Sequence, residues 1–486
     1  MSRDTPLILS SSPVYENESD CACAGASLPI VPAGQSFNFN YAHTVGTALE
    51  NNPSSLGATK WTLPPLLYLT SLTDGYWLAF NPAGFAKVVV LNEPATDILE
   101  SFGTPAPLNN SVARQLAALG LLTPLHGAPL ALRPSPLLTL WLHITTRCNL
   151  RCIYCYAPSD NTDMPPEIGQ AAVEAAFYSA QAHGFHAIKI KYAGGEPTLN
   201  LSTVRAVHTY AQELAANTGL ELREVLLSNG TLLTAETLKW LRDEDIRLSV
   251  SLDGIGRVHD RQRALAGGYD SFPLVAEGIE RALALGLSPH LSITVTSYNA
   301  EYLAEVADFA LERGLTFNLN FVRPVPGKPN LMPTSEQLIA GVQAVLAEIK
   351  RRLPPYRLID GLLDRCNLSV PHRYPCGAGY SYLVVNPQGG VARCHMEIEK
   401  EICTVWEEDP LEAIQRTEAG FRNMPVDEKE DCRDCPWRYV CAGGCPLLTH
   451  RLSGRDNGPS PYCDAYRTLL PELLQTEGVR ILKMQM

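Results

Sequence analysis

Ten of the fourteen cysteines in this 486-residue chain fall into two spacing patterns, and that clustering limits the possible folds more than any other feature. Cys148, Cys152 and Cys155 form a CxxxCxxC triplet directly after an apolar run. Cys432, Cys435, Cys441, Cys445 and Cys463 form a second group, preceded by Cys376 and Cys394. Tight cysteine groups of this kind hold metals in a reducing compartment; the alternative, a disulfide framework, belongs to exported chains. The N-terminus (Met1, Ser2, Arg3, Asp4) lacks the basic-then-apolar layout of a signal peptide, and no stretch approaches the roughly 20 apolar residues of a membrane span. The sequence therefore predicts a cytoplasmic protein with no membrane partner. Its net charge of -12 supplies no basic footprint for nucleic acid.

The length predicts two to four domains at roughly 100 to 200 residues each, and 45% hydrophobic with 19% charged residues suits soluble globular units. Residues 1–60 are rich in Ser, Asn, Gly and Pro and read as an irregular arm, so Cys21 and Cys23 are not expected to ligate metal. Residues 61–133 read as a small unit, with strands near 67–70, 76–80 and 87–91, a turn at 81–84, and helices over 95–102 and 111–121. From 134 to 355 apolar strands (138–144, 187–192, 224–227, 247–252, 288–296, 316–321) alternate with helices (167–183, 201–218, 235–242, 271–285, 301–313, 335–352). Six such β-α units predict an α/β fold with a parallel sheet, closed or partly closed into a barrel. Residues 356–486 are poor in long periodic runs and dense in Cys, Gly and Pro, which predicts a segment that depends on metal for its fold.

Three thiolates hold three irons of a [4Fe-4S] cube and leave the fourth without a protein ligand, which is where chemistry can occur. Structural zinc is the alternative, but it takes four ligands, and the only near fourth candidate, His143, lies inside the first barrel strand. The CxxxCxxC motif, with Tyr154 before its last cysteine, resembles the radical S-adenosylmethionine superfamily. That resemblance implies a cluster that binds S-adenosylmethionine and splits it to a 5′-deoxyadenosyl radical, with Tyr154 flanking the adenine. Gly194, Gly195, Glu196 and Pro197 match the family's GGEP motif, whose glutamate is expected to hold the methionyl amine. By the same resemblance Ser228, Asn229, Ser251 and Arg263 are expected at the ribose or carboxylate. All fall at carboxyl ends of predicted strands, where parallel barrels place their sites. Each could equally be a strand-end cap. His259 and Asp260 lie nearby, and Asp253 is a catalytic-base candidate by location alone.

The order of the seven later cysteines resembles the SPASM extension, which implies two auxiliary [4Fe-4S] clusters and three in all. Carried over, one uses Cys376, Cys394 and Cys445, and the other Cys432, Cys435, Cys441 and Cys463. A zinc ribbon could use Cys432, Cys435, Cys441 and Cys445 but would leave the other three unexplained. Tyr382 stands where some relatives supply a fourth ligand to the first set, so either Cys366 or Cys403 substitutes or that iron is open.

Residues 76–124 resemble the PqqD-type, winged-helix-like recognition domain of ribosomal-peptide maturases, which implies a precursor peptide adding as a strand through its leader; a stabilising cap on the barrel is the alternative. The implied activity is oxidative modification or crosslinking of that peptide, with an external electron donor. A sulfatase-maturase-like, formylglycine-forming oxidase is the second reading, and a non-catalytic iron-sulfur electron carrier is the third.

Overall fold

The computed structural model describes residues 5–10, 59–84, 88–126, 137–158 and 160–486. Cys21, Cys23 and most of the N-terminal arm lie outside the described residues. The first strands and helices are β1 (Ile8–Ser10), β2 (Trp61–Thr62), β3 (Tyr68–Ser71), β4 (Tyr76–Phe80), β5 (Val89–Asn92), α1 (Glu93–Ser101), α2 (Ser111–Ala118) and β6 (Thr123–Pro124). They build an antiparallel sheet in the order β1-β5-β4-β3 over a small core of Trp61, Leu91, Leu99, Leu116 and Leu121. Asn92 starts α1 by accepting the Ala95 N–H at 3.2 Å, and Asn110 starts α2 by accepting that of Ala113 at 2.7 Å, which satisfies amides the first turn leaves unpaired. One strand was not foreseen. Ile8–Ser10, inside the arm read as irregular, pairs with Val89–Leu91, because the alternating Leu7-Ile8-Leu9 run splits its side chains between the small core and the main one.

The barrel follows as β7 (Leu137–Thr145), α3 (Pro166–Ala182), β8 (Ala187–Gly194), α4 (Leu201–Thr218), β9 (Glu221–Ser228), α5 (Ala235–Asp243), β10 (Arg247–Ser251), α6 (Arg257–Arg263), α7 (Phe272–Ala284), β11 (His290–Val295), α8 (Leu303–Glu312), β12 (Phe317–Phe321) and α9 (Ser335–Arg351). β7 to β12 are parallel neighbours in chain order, as six β-α units require. The sheet does not close on itself. It continues past β7 into β13 (Tyr382–Val385), β14 (Gly390–Ala392) and β15 (Cys403–Thr404), giving nine strands in the order β12-β11-β10-β9-β8-β7-β13-β14-β15. The fold is α/β, with a partial barrel whose edge is extended by the cysteine-rich region.

Alternation along the strands sorts two faces. Leu138, Leu140, Leu142 and Ile144 of β7 join the large core beneath the helices. Trp141, on the opposite face, packs with Ala193, Tyr382 and Val384 in the lumen. Thr139, His143 and Thr145 share that inward row, and all are buried.

The cysteine-rich region adds α10 (Pro410–Arg416), α11 (Arg438–Cys441), α12 (Pro446–Ser453) and α13 (Cys463–Gln485). The 23-residue α13 is the element the sequence hid. Its apolar residues do not form one stripe because it is buried on several sides, against α9 and against β1, β4 and β5. Pro471 within it also reads as a helix breaker.

Close helix packing gives a test of this arrangement. Alanine is favoured over glycine inside a helix by up to about 1 kcal/mol, so Gly341→Ala in α9 would stabilise an isolated helix. Here a Cβ would stand 2.2 Å from the Ala300 carbonyl oxygen, and overpacking costs about 1–3 kcal/mol. The variant should therefore melt below the parent in a calorimetric scan; a higher Tm would show that this contact is not made.

Candidate active site

The site is assembled where β7 and β8 end. The Gly195 N–H donates to the Thr145 carbonyl at 2.7 Å and the Glu196 N–H to the Arg147 carbonyl at 2.9 Å, so the turn after β8 lies flush against the chain entering the cysteine loop. No side chain fits between them: a Cβ on Gly194 would meet Thr145 O at 2.4 Å, and one on Gly195 would meet Arg147 O at 2.2 Å. Gly194 also has φ +145°, a conformation open to glycine. What the two glycines let the backbone approach is the loop that carries Cys148.

Beyond the seam, residues 149–153 are held by the segment after α6. Arg151 N–H donates to Ala264 O at 2.8 Å, Ile153 N–H to Gln262 O at 3.0 Å, and Ala266 N–H to Asn149 O at 2.7 Å. Cys148, Cys152 and Cys155 lie near enough for Cys152 to feel both of the others. Burial pushes the Cys152 thiol up to about 12, with Arg263 opposing and the two neighbouring sulfurs adding to the rise. Leu150 N–H donates to Cys148 Sγ at 3.4 Å, and the Asn229 amide reaches the same sulfur at 3.9 Å. These donors suit a sulfur that carries charge. Among the described residues no group of three or more His, Cys, Asp or Glu side chains could hold a single metal ion; a cube asks its ligands to stand at separate corners instead. The triplet, its N–H donors and the missing fourth thiol fit a [4Fe-4S] cluster.

Glu196 is fully buried. Its Oε1 accepts from Ser228 Oγ at 2.9 Å and Thr198 Oγ at 2.7 Å, and its Oε2 accepts from Asn229 N at 2.7 Å. The carboxylate thus ties β8 to β9, with room on Oε2 for one more donor. Burial raises its pKa while the backbone N–H of Asn229 and the hydroxyls lower it. Asn229 also donates to Asn149 Oδ1 at 2.8 Å, and its own Oδ1 accepts from Thr231 Oγ at 2.7 Å. Asn149 and Thr231 had no signal in a single sequence beyond proximity to the motifs. Ser251 ends β10 on the inward row, in register with Ser292.

Tyr154, Asp253 and Arg263 form one buried knot. The Tyr154 hydroxyl donates to Asp253 Oδ2 and accepts from Arg263 Nη1, while Arg263 stands 3.7 Å from the same carboxylate oxygen. Thr294 N–H donates to Asp253 Oδ1 at 2.8 Å. Burial pushes the Asp253 carboxyl up, and Arg263 pulls it back. His259 accepts the Asp253 N–H at 3.2 Å, and Asp260 caps α7 through the N–H groups of Ser271 and Phe272 at 2.8 and 2.7 Å.

The later cysteines gather into two sets. Cys394 is buried beside Cys445 and Cys376, and Asn423 donates to Cys376 Sγ at 3.8 Å. Cys432, Cys435, Cys441 and Cys463 line one pocket, with Arg438, Tyr466 and Arg467 also in its wall. Cys445 does not line it. The fully buried Lys429 donates to Ala442 O at 3.2 Å and carries its charge within range of Cys432, Cys441, Cys376 and Cys445, so it faces both sets. Of the two spare thiols, Cys366 feels Cys441, Asp364 and Asp360, and Cys403 feels Glu407 and Asp409.

Residues 142–310 match the family model of the Radical SAM superfamily. The AdoMet-dependent heme synthase of Oleidesulfovibrio alaskensis is 25% identical over 364 residues, covering 68% of this chain and 87% of that protein. The cysteine-type anaerobic sulfatase-maturating enzyme of Clostridium perfringens is 24% identical over 363 residues, covering 68% and 95%. The solved structure of native anSMEcpe with bound AdoMet superposes with a TM-score of 0.58 at 20% identity, over 71% of this chain and 100% of that one, and so has the same fold. The chain is an enzyme with a radical SAM domain, and that domain implies a [4Fe-4S] cluster and S-adenosylmethionine. No helix among the described residues is long and apolar enough to cross a membrane.

The glycine seam yields a prediction. Gly195→Ala should displace the cysteine loop, so that anaerobically reconstituted protein binds less iron and forms at least about tenfold less deoxyadenosine, as expected where misplacement by about 1 Å costs about 100-fold. Iron content and deoxyadenosine yield equal to the parent would show that the seam does not position the loop.

Proposed function

We propose that this enzyme uses a deoxyadenosyl radical to modify a peptide oxidatively, with Cys148, Cys152 and Cys155 holding the cluster that binds S-adenosylmethionine. Bound there, the cluster supplies the electron that splits S-adenosylmethionine and so the radical that removes hydrogen from a substrate carbon. In this reading Glu196, through the free side of Oε2, and the backbone of Gly194 and Gly195 orient the methionyl end. Ser228, Asn229 and Ser251 border the ribose, and Tyr154, held by Asp253, flanks the adenine. Arg263 offsets negative charge near Cys152. Asp253 serves this pocket by fixing Tyr154 and Arg263.

The observation that carries the oxidative reading is the contact between the Cys394 region and the barrel lumen. His395, one residue after Cys394, stacks on the inward-facing Trp141 of β7 with ring centroids 4.7 Å apart. An auxiliary cluster on Cys376, Cys394 and Cys445 would therefore stand beside the lumen, where it can take the electron left on an oxidised substrate. A second cluster would be held by Cys432, Cys435, Cys441 and Cys463, which share the wall of one pocket. In this reading Cys376, Cys394 and Cys445 are the three cysteine ligands of the first auxiliary set. The β3-β4-β5 sheet is the proposed docking unit for a precursor peptide: β1 covers the edge of β5, and among the described residues no strand pairs with the outer edge of β3. Formylglycine formation on a sulfatase is the second reading, favoured by the near full-length match to a sulfatase-maturating enzyme; it needs the same clusters and a polypeptide substrate.

The test uses reconstituted enzyme, a chemical reductant, S-adenosylmethionine and synthetic peptides taken from the short reading frames that flank the gene. A loss of about 2 Da from one of them, with deoxyadenosine formed, is expected by mass spectrometry; deoxyadenosine without a mass change in any of them would remove the peptide reading. Cys376→Ala and Cys435→Ala should each lower bound iron, and Cys403→Ala should leave it unchanged. Equal iron loss in the Cys403 variant would refute the assignment of sets.

A further inference from the structure

The lumen face of β7 carries a row of buried polar groups that find no partner among the described residues. Thr139, Trp141 and His143 are 0%, 3% and 0% exposed. Among the described residues the Thr139 hydroxyl, the Trp141 indole N–H and both ring nitrogens of His143 find no hydrogen-bond partner. Leaving one buried polar group unpaired costs about 1–3 kcal/mol, so a row of three on one strand face calls for a bonding partner that the described residues do not provide. The row points into the barrel, since the alternate residues Leu140, Leu142 and Ile144 pack under the helices. His143 is its uppermost member. It is in register with Ala193, directly before the Gly194-Gly195 turn, and it lies five residues ahead of Cys148. The charged or titratable groups acting on it are His395, which stacks on Trp141, and Asp160 in the loop after the cysteine triplet. Burial, helped by His395 and opposed by Asp160, holds its imidazole down to about 4, so the ring is neutral and has a lone pair to offer near neutral pH.

We propose that His143 is a catalytic residue, the proton acceptor at the substrate carbon, in a lumen lined by Thr139 and Trp141 as polar contacts for the peptide. This rests on the peptide-oxidising reading above and supplies a group that reading lacks, because the carboxylate of Asp253 is engaged by Tyr154, Arg263 and Thr294. The step balances as follows. The substrate C–H bond breaks and its hydrogen atom passes to the deoxyadenosyl radical, giving deoxyadenosine. The carbon then gives one electron to an oxidised iron-sulfur centre as it bonds to a neighbouring heteroatom, whose X–H bond breaks and whose proton goes to a ring nitrogen of His143. Two electrons and two protons leave the peptide in all, the 2 Da loss.

The test compares parent, His143→Leu and His143→Gln holoenzymes. Leucine fills a similar volume and removes the unpaired nitrogens, so the leucine variant should retain its iron and melt above the parent; a structural histidine would give a lower Tm, and that result would overturn the proposal. With the flanking-frame peptide deuterated at the reacting carbon, both variants should yield at least about 100-fold less oxidised peptide per deoxyadenosine, as general-base loss implies, while deuterium still appears in the deoxyadenosine. Unchanged coupling would refute the role, as would loss of deuterium transfer, which would make His143 part of radical generation. If the parent forms deoxyadenosine but alters no peptide, the functional reading fails by itself, and the melting comparison still decides whether His143 is an unsatisfied group held in the lumen.

Discussion

The close contact between the ends of β7 and β8 is the constraint on which the rest of the site depends. Two backbone hydrogen bonds, Gly195 to Thr145 and Glu196 to Arg147, join the strand ends, and the space between them excludes any Cβ. The β7–β8 register shifts between His143 and Thr145, an irregularity that re-aims the chain as bulges do and lifts it toward Cys148. Glu196 extends the same seam to β9 through Ser228 and Asn229, and Asn229 returns to the cysteine loop through Asn149. Three consecutive strand ends are thereby locked around one sulfur triplet, without the site's geometry depending on any long flexible side chain.

The parts of this arrangement that were legible in the sequence are those set by local rules. Six parallel strands and their helices followed from alternation and helical period, and α4 falls where the pattern placed it, at Leu201–Thr218. The cysteine groups were legible because sulfur chemistry leaves few other reasons for such spacing. What stayed hidden was set by tertiary packing. β13 joins β7 across more than two hundred residues of chain, a pairing its short apolar run does not announce. α13 is buried from several directions and therefore shows no single apolar stripe. The roles of the motif polar groups were also only half visible: Glu196 read as a ligand contact and Asp253 as a base candidate by position, whereas most of their bonding capacity is spent joining strand ends.

The lumen shows the opposite economy. At the candidate site the carboxylates of Glu196 and Asp253 are bonded within the protein, while on β7 Thr139, Trp141 and His143 find no partner among the described residues. Stability alone would favour apolar residues there, as on the helix-facing side of the same strand. The contrast separates a rigid shell, which holds its shape by internal bonds, from a surface whose bonds await another molecule. His395 stands at the boundary, stacked on Trp141 and bonded to the Tyr382 hydroxyl at 3.1 Å, so the cysteine-rich region forms part of the lumen wall.

That region also couples distant parts of the chain mechanically. α13 begins at Cys463, in the wall of the sulfur-lined cavity, and at about 1.5 Å per residue its 23 residues run about 34 Å. Its other end meets the N-terminal sheet, where Gln485 donates to the Ser10 carbonyl at 2.8 Å and Gly478 admits Leu78 so closely that a Cβ would stand 2.8 Å from it. The first turn of such a helix is fixed by the sulfur site and the last turns by the sheet, so strain at one end is carried to the other through a rigid element. Lys429 faces cysteines of both sets, where it would offset the negative charge they carry as thiolates. The small sheet that bears β3 and β5 is thus seated on the same frame as the clustered cysteines, and its position is set by the packing of α13 against it.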